Sequence, residues 1–89
     1  MVYAVIGTSA GKPREEIMAI YPRHKAFLDQ FVDRGEVVGV GPFIDAEGGN
    51  MALFRSKSAA EEFAKSDPFL LEGAVKVYTI KEWGDTMLV

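Results

Sequence analysis

This chain is predicted to be an α+β domain with elements in the order β-α-β-β-α-β. Three features predict it: apolar stripes at helical spacing in two segments, short runs rich in β-branched and aromatic residues around them, and Gly, Pro and Asx punctuation between. With 89 residues, 48% of them hydrophobic and 26% charged, the chain has the length and balance of one folded domain, residues 1–89, not of a disordered segment.

Val2 to Ile6 is an apolar run ended by Gly7, which reads as a strand covered on both faces. The following loop, Gly7 to Lys12, has two glycines and a lysine. It has one residue too few between the glycines for a phosphate-binding loop, and Pro13 stands where a Ser or Thr should hold magnesium. Pro13 suits a helix start, with Glu15 and Glu16 favoured by the dipole of the first turn. The apolar stripe then runs through Ile17, Ile20, Tyr21, Phe27, Leu28 and Phe31, and Gly35 is the expected stop. Pro22 lies inside this pattern and is expected to kink or divide the helix.

Glu36 to Ile44 is the second strand, where Gly39 and Gly41 allow close backbone approach and Pro42 suggests an edge or a bulge. Asp45 to Asn50 is turn chemistry, so Met51 to Arg55 should return antiparallel. Ser58 and Glu61 have the spacing of a capping box, which starts a second helix near Ala59 presenting Ala60, Phe63 and Ala64. Asp67-Pro68 opens a short turn ended by Gly73, and Ala74 to Trp83 is the last strand.

That order is the split βαβ arrangement of ferredoxin-like domains, an antiparallel four-stranded sheet with both helices on one face. The other face would then be bare. Yet Val2 to Ile6 and Val37 to Val40 do not alternate with polar residues as a solvated face demands. The expected cover is a second copy packed sheet to sheet, a homodimer.

Composition excludes several classes of function. A formal charge of −3 gives no general attraction for nucleic acid or anionic lipid. No cysteine is present, which removes disulfides, thiolate nucleophiles and thiolate metal sites together. One histidine and scattered carboxylates give no metal-ligand cluster, so neither metal nor cofactor is expected. No segment approaches the ~18 apolar residues of a membrane span, and the expected location is the cytoplasm.

The first candidate for chemistry is His24, the one histidine, set within the apolar stripe of the first helix where packing requires no imidazole. Its bland alternative is a core ring satisfied by a carbonyl and a water. Asp67 before Pro68 likewise reads as a helix cap, its carboxylate accepting backbone N–H groups. Phe69, Phe43 and Trp83 are candidates for an apolar pocket wall, or plain core.

At Pro22-Arg23-His24, at Arg34-Gly35 through Gly41-Pro42, and at Ser66-Asp67-Pro68-Phe69, the chain resembles the YciI-like family of YCII-related proteins from Val2 to Trp83. The resemblance implies a dimeric α/β-barrel of two ferredoxin-like units, and an active site in which the histidine, here His24, pairs with the aspartate, here Asp67. It also implies substrate contacts at Gly41, Pro42 and Phe69, and at the position of the family's helix arginine. That position is Tyr21 in this chain, with Arg23 two residues further along on another helix face. The family includes lyase-type enzymes acting on chlorinated hydroxylated aromatics.

A His24–Asp67 pair would fix the imidazole tautomer and stabilise the imidazolium formed when the other ring nitrogen takes a proton. No Ser or Cys stands in a motif that such a base would activate. Proton abstraction from a small cyclic or aromatic substrate, leading to elimination or isomerisation, is therefore the expected chemistry. The alternatives are a ligand-binding module without catalysis and a purely structural dimerisation domain, since this fold serves many purposes.

Overall fold

The computed structural model describes residues 1–86. Its elements are β1 (Val2–Ser9), α1 (Arg14–Asp33), β2 (Val37–Pro42), β3 (Asn50–Phe54), α2 (Lys57–Ser66), the short α3 (Pro68–Leu71) and β4 (Val75–Trp83). The strands form one antiparallel sheet in the order β2-β3-β1-β4, so the ferredoxin-like arrangement read from the sequence is present. Residues 87–89, the end of the expected domain, lie outside the described residues.

Alternation decides which side chains meet the helices. Val5 of β1 lies opposite Ala52 of β3 and Ile80 of β4, and these point toward Leu28 and Phe31 of α1 and Ala59, Ala60 and Phe63 of α2. Phe31, Phe54 and Phe63 have no exposed surface and pack edge-on or tilted, with ring centroids 5.1–5.8 Å apart. Each buries an area that dominates a core this small. The odd register leaves Ile6, Met51, Leu53, Val77 and Trp83 on the face away from the helices. Val77 and Trp83 there are 48% and 44% exposed.

Helix α1 is continuous across Pro22, which neither divides it nor buries its ring. The proline removes one donor on the exposed side, while Ile20, His24, Leu28 and Phe31 anchor the opposite face. Gly35, with φ of 73°, ends the helix: its N–H bonds to the Val32 carbonyl and that of Glu36 to the Phe31 carbonyl. This is a Schellman motif.

Several boundaries differ from the sequence reading. The cap of α2 is Ser56 rather than Ser58, its Oγ accepting from the Ala59 N–H at 3.2 Å and donating to Glu36 Oε2 at 2.9 Å. A tertiary partner at the end of α1 selects that serine, which no local spacing reveals. Strand β1 also continues through Gly7 to Ser9, because Gly7 pairs with Asn50 on one side and Tyr78 on the other. Strand β2 is an edge strand, as Pro42 suggested, but it spans Val37–Pro42 rather than Glu36 to Ile44, since a residue with no N–H to donate closes the ladder. Among the described residues no helix is long and apolar enough to cross a membrane.

Candidate active site

The face of α1 that anchors the core carries His24 one turn before Leu28, and there the packing turns polar. His24 is buried, and Asp67, at the junction of α2 and α3, is fully buried. His24 Nδ1 lies 2.7 Å from Asp67 Oδ1. The other carboxylate oxygen, Oδ2, accepts from the Tyr78 hydroxyl of β4 at 2.5 Å. The Tyr78 oxygen in turn accepts from Asn50 Nδ2 of β3 at 3.1 Å. Four side chains from four places in the chain thus form one string, buried at His24 and Asp67 and half-buried at Tyr78 and Asn50.

The donors and acceptors of this string run in one direction. Burial, and after it the Asp67 carboxylate, push the Tyr78 phenol far above its ordinary range, so it stays a proton donor. With Asp67 accepting at both of its oxygens, the hydrogen of its contact with His24 belongs to Nδ1. Nε2 has no hydrogen-bond partner among the described residues. The Asp67 side chain makes no cap bond to α3; its backbone carbonyl accepts from Leu70 and Leu71 instead. The capping expectation for the carboxylate is therefore corrected: both oxygens are turned inward and spent on side chains.

Glycine makes room for the string. A Cβ on Gly7 would collide with Asn50 Oδ1 and the Tyr78 ring, so only a bare backbone lets the two lie side by side. Phe69 of α3 stacks on the imidazole, with centroids 3.8 Å apart and planes 8° from parallel. A fork from Arg23 to Glu72 ties the end of α3 to α1, Nε to Oε2 at 2.7 Å and the second nitrogen to Oε1 at 2.6 Å. That hydrogen bonding holds the Glu72 carboxyl below its ordinary range and Arg23 above its own. Arg23 is thereby engaged outside the site.

His24 forms part of the wall of a cleft of about 580 Å³ between α1, β2 and α3. Tyr21, Gly41, Pro42 and Phe69 line the same cleft, so the structure brings together every residue the sequence named as a substrate contact. Asp67 stands behind the imidazole and does not reach the opening. Phe43 lines neighbouring hollows and Trp83 lies on the far sheet face, so neither joins this wall. Among the described residues no group of three or more His, Asp or Glu could hold a metal ion.

Four cleft or string residues escaped the sequence reading: Tyr78, Asn50, Lys12 and Arg14. Tyr78 falls at a core-facing position of β4, where its hydroxyl needed a partner and so gave a signal that could have been followed. Asn50 looked like turn chemistry. Lys12 was weighed only as the lysine of a phosphate-binding loop that its surroundings exclude, and Arg14 only as part of a helix start.

A sequence profile of the YCII-related domain matches residues 1–84. No curated relative matches the sequence. Among solved structures, the fold is similar to that of 5-chloro-2-hydroxyhydroquinone dehydrochlorinase from Burkholderia phenoliruptrix AC1100 in complex with 2,5-dihydroxybenzoquinone, with a TM-score of 0.72 over 93% of each chain and 18% identity. Likeness at that identity speaks to the fold.

Proposed function

The chain belongs to the YCII-related family, and on that footing we propose that it is a small-molecule enzyme of lyase or isomerase type in which His24 moves the proton. The observation that carries this reading is the 2.7 Å contact between His24 Nδ1 and a fully buried Asp67, with the imidazole on a cleft wall. A histidine that served packing alone would not need a carboxylate sealed behind it.

In this reading Nε2 takes a proton from a carbon of a small cyclic substrate, and the electron pair of that C–H bond forms a double bond. As it forms, a leaving group departs with its own bonding pair, or an adjacent double bond of the substrate gives up its pair to take the proton back at another carbon. The imidazolium is held by Asp67, whose other oxygen accepts from Tyr78. Such transfers contribute about 10²- to 10⁴-fold in rate. Phe69 fixes the plane of the ring, and Tyr21, Gly41 and Pro42 shape the substrate's place beside it. The similar solved structure is named as a dehydrochlorinase of a hydroxylated ring, which is in keeping with this reading.

The functional unit in this proposal is a homodimer. The apolar side chains Ile6, Met51, Leu53, Val77 and Trp83 form a patch that a second copy would cover with its own. The setting is the cytoplasm, where a chain with no cysteine has no disulfide to lose. Incubation with a panel of hydroxylated and halogenated cyclic acids, followed by mass spectrometry, tests the chemistry. A substrate turned over equally by wild type and His24→Gln would overturn it. Sedimentation of a monomer at micromolar concentration would remove the dimer.

A further inference from the structure

The cleft has a charge pattern that proton transfer at His24 leaves unused. Toward the start of α1 it is lined by Lys12 and Arg14, and no Asp or Glu lines it anywhere. Neither cation is ion-paired among the described residues, whereas Arg23, Lys25 and Arg34 each meet a carboxylate. In a chain of net charge −3 this local excess runs against the protein's own balance. The open N–H groups of the first turn of α1 add partial positive charge at the same end. Glu15 and Glu16 of that turn are exposed and are not part of the wall.

Spacing adds the second constraint. Arg14, Ile17, Met18, Tyr21 and His24 share one face of α1, and the first and last of them are roughly 15 Å apart along the axis at 1.5 Å per residue. A single ring in contact with His24 and Phe69 cannot span that length. A cleft of about 580 Å³ also falls within the range that encloses drug-sized molecules. Between the two ends the wall is Ile17, Met18 and Val40, which suits methylene groups.

The geometry points to a two-part acid as the ligand: a planar ring at the His24 end and a flexible apolar tail ending in a carboxylate at Lys12 and Arg14. This rests on the cleft being the small-molecule site proposed above, but not on catalysis there.

Calorimetric titration with benzoate, phenylpropanoate and phenylpentanoate, with phenylpentanamide as the uncharged control, tests the assignment. Affinity should rise with tail length, and phenylpentanoate should bind at least about tenfold more tightly than its amide, as expected of a charge-assisted contact. The preference for acid over amide should shrink in Lys12→Gln and in Arg14→Gln and vanish when both are replaced. Replacing the exposed Lys65, which does not line the cleft, should leave it intact. Equal binding of acid and amide, strongest binding by benzoate, persistence of the preference in the double variant, or no binding of any probe at millimolar concentration would each overturn the assignment. An acid preference alongside undiminished turnover in His24→Gln would support it while sinking the proton-transfer reading.

Discussion

Helix α1 presents the same face to two different interiors. Around Phe31 it meets Phe54 and Phe63 in a dry aromatic cluster, while one to two turns earlier His24 meets Asp67 and, through it, Tyr78 and Asn50. The first interior is non-directional and tolerates any good fit of shape. The second works only if each donor finds its acceptor, since a buried polar group without a partner costs about 1–3 kcal/mol. The difference teaches how one helix face can be divided: the aromatic half anchors the helix by packing, and the polar half is fixed by directional hydrogen bonds.

The largest effect expected from breaking this division is on the aromatic side. Phe63→Ala should cost about 3–5 kcal/mol in urea denaturation, enough to unfold much of a domain this small. Next comes Asp67→Asn, which keeps the shape of the side chain but offers His24 an amide. Turnover of any identified substrate should fall about 10²- to 10⁴-fold while the fold survives in circular dichroism. Tyr78→Phe sharpens the comparison through pH. The phenol's proton affinity is raised on folding, so its contribution to stability is complete below the unfolded value of about 10 and is lost as pH rises beyond it. Wild type should therefore lose about 1.4 kcal/mol per pH unit above that point, from this group alone, and Tyr78→Phe should lack that component. The smallest test sits outside both interiors: Ser56→Ala should cost about 1 kcal/mol and Ser58→Ala within about 0.5 kcal/mol.

Much of the fold was legible because its signals are local. Gly35 ends α1, Pro42 marks an edge strand, and short β-branched and aromatic runs between Gly, Pro and Asx turns locate the strands. His24 was legible for the same reason, as a polar ring in an apolar stripe. Asp67 drew attention through family resemblance, while its own sequence context suggested a cap. The remainder of the string was hidden because Tyr78 at a core position and Asn50 at a turn each satisfy a commoner rule. The link between them depends on Gly7, whose missing side chain matters only once three strands are in register. Ser56 lost to Ser58 in the sequence for a similar reason, since Glu36 settles the choice from twenty residues away.

The four-residue helix α3 has a consequence for control. Phe69 is carried on it, Asp67 is the residue that leads into it, and the Arg23–Glu72 fork closes its far end. The stacking ring and the counter-charge of the imidazole therefore travel as one cassette. Any displacement of that single turn from α1 would therefore take the stacking ring and the carboxylate from His24 together.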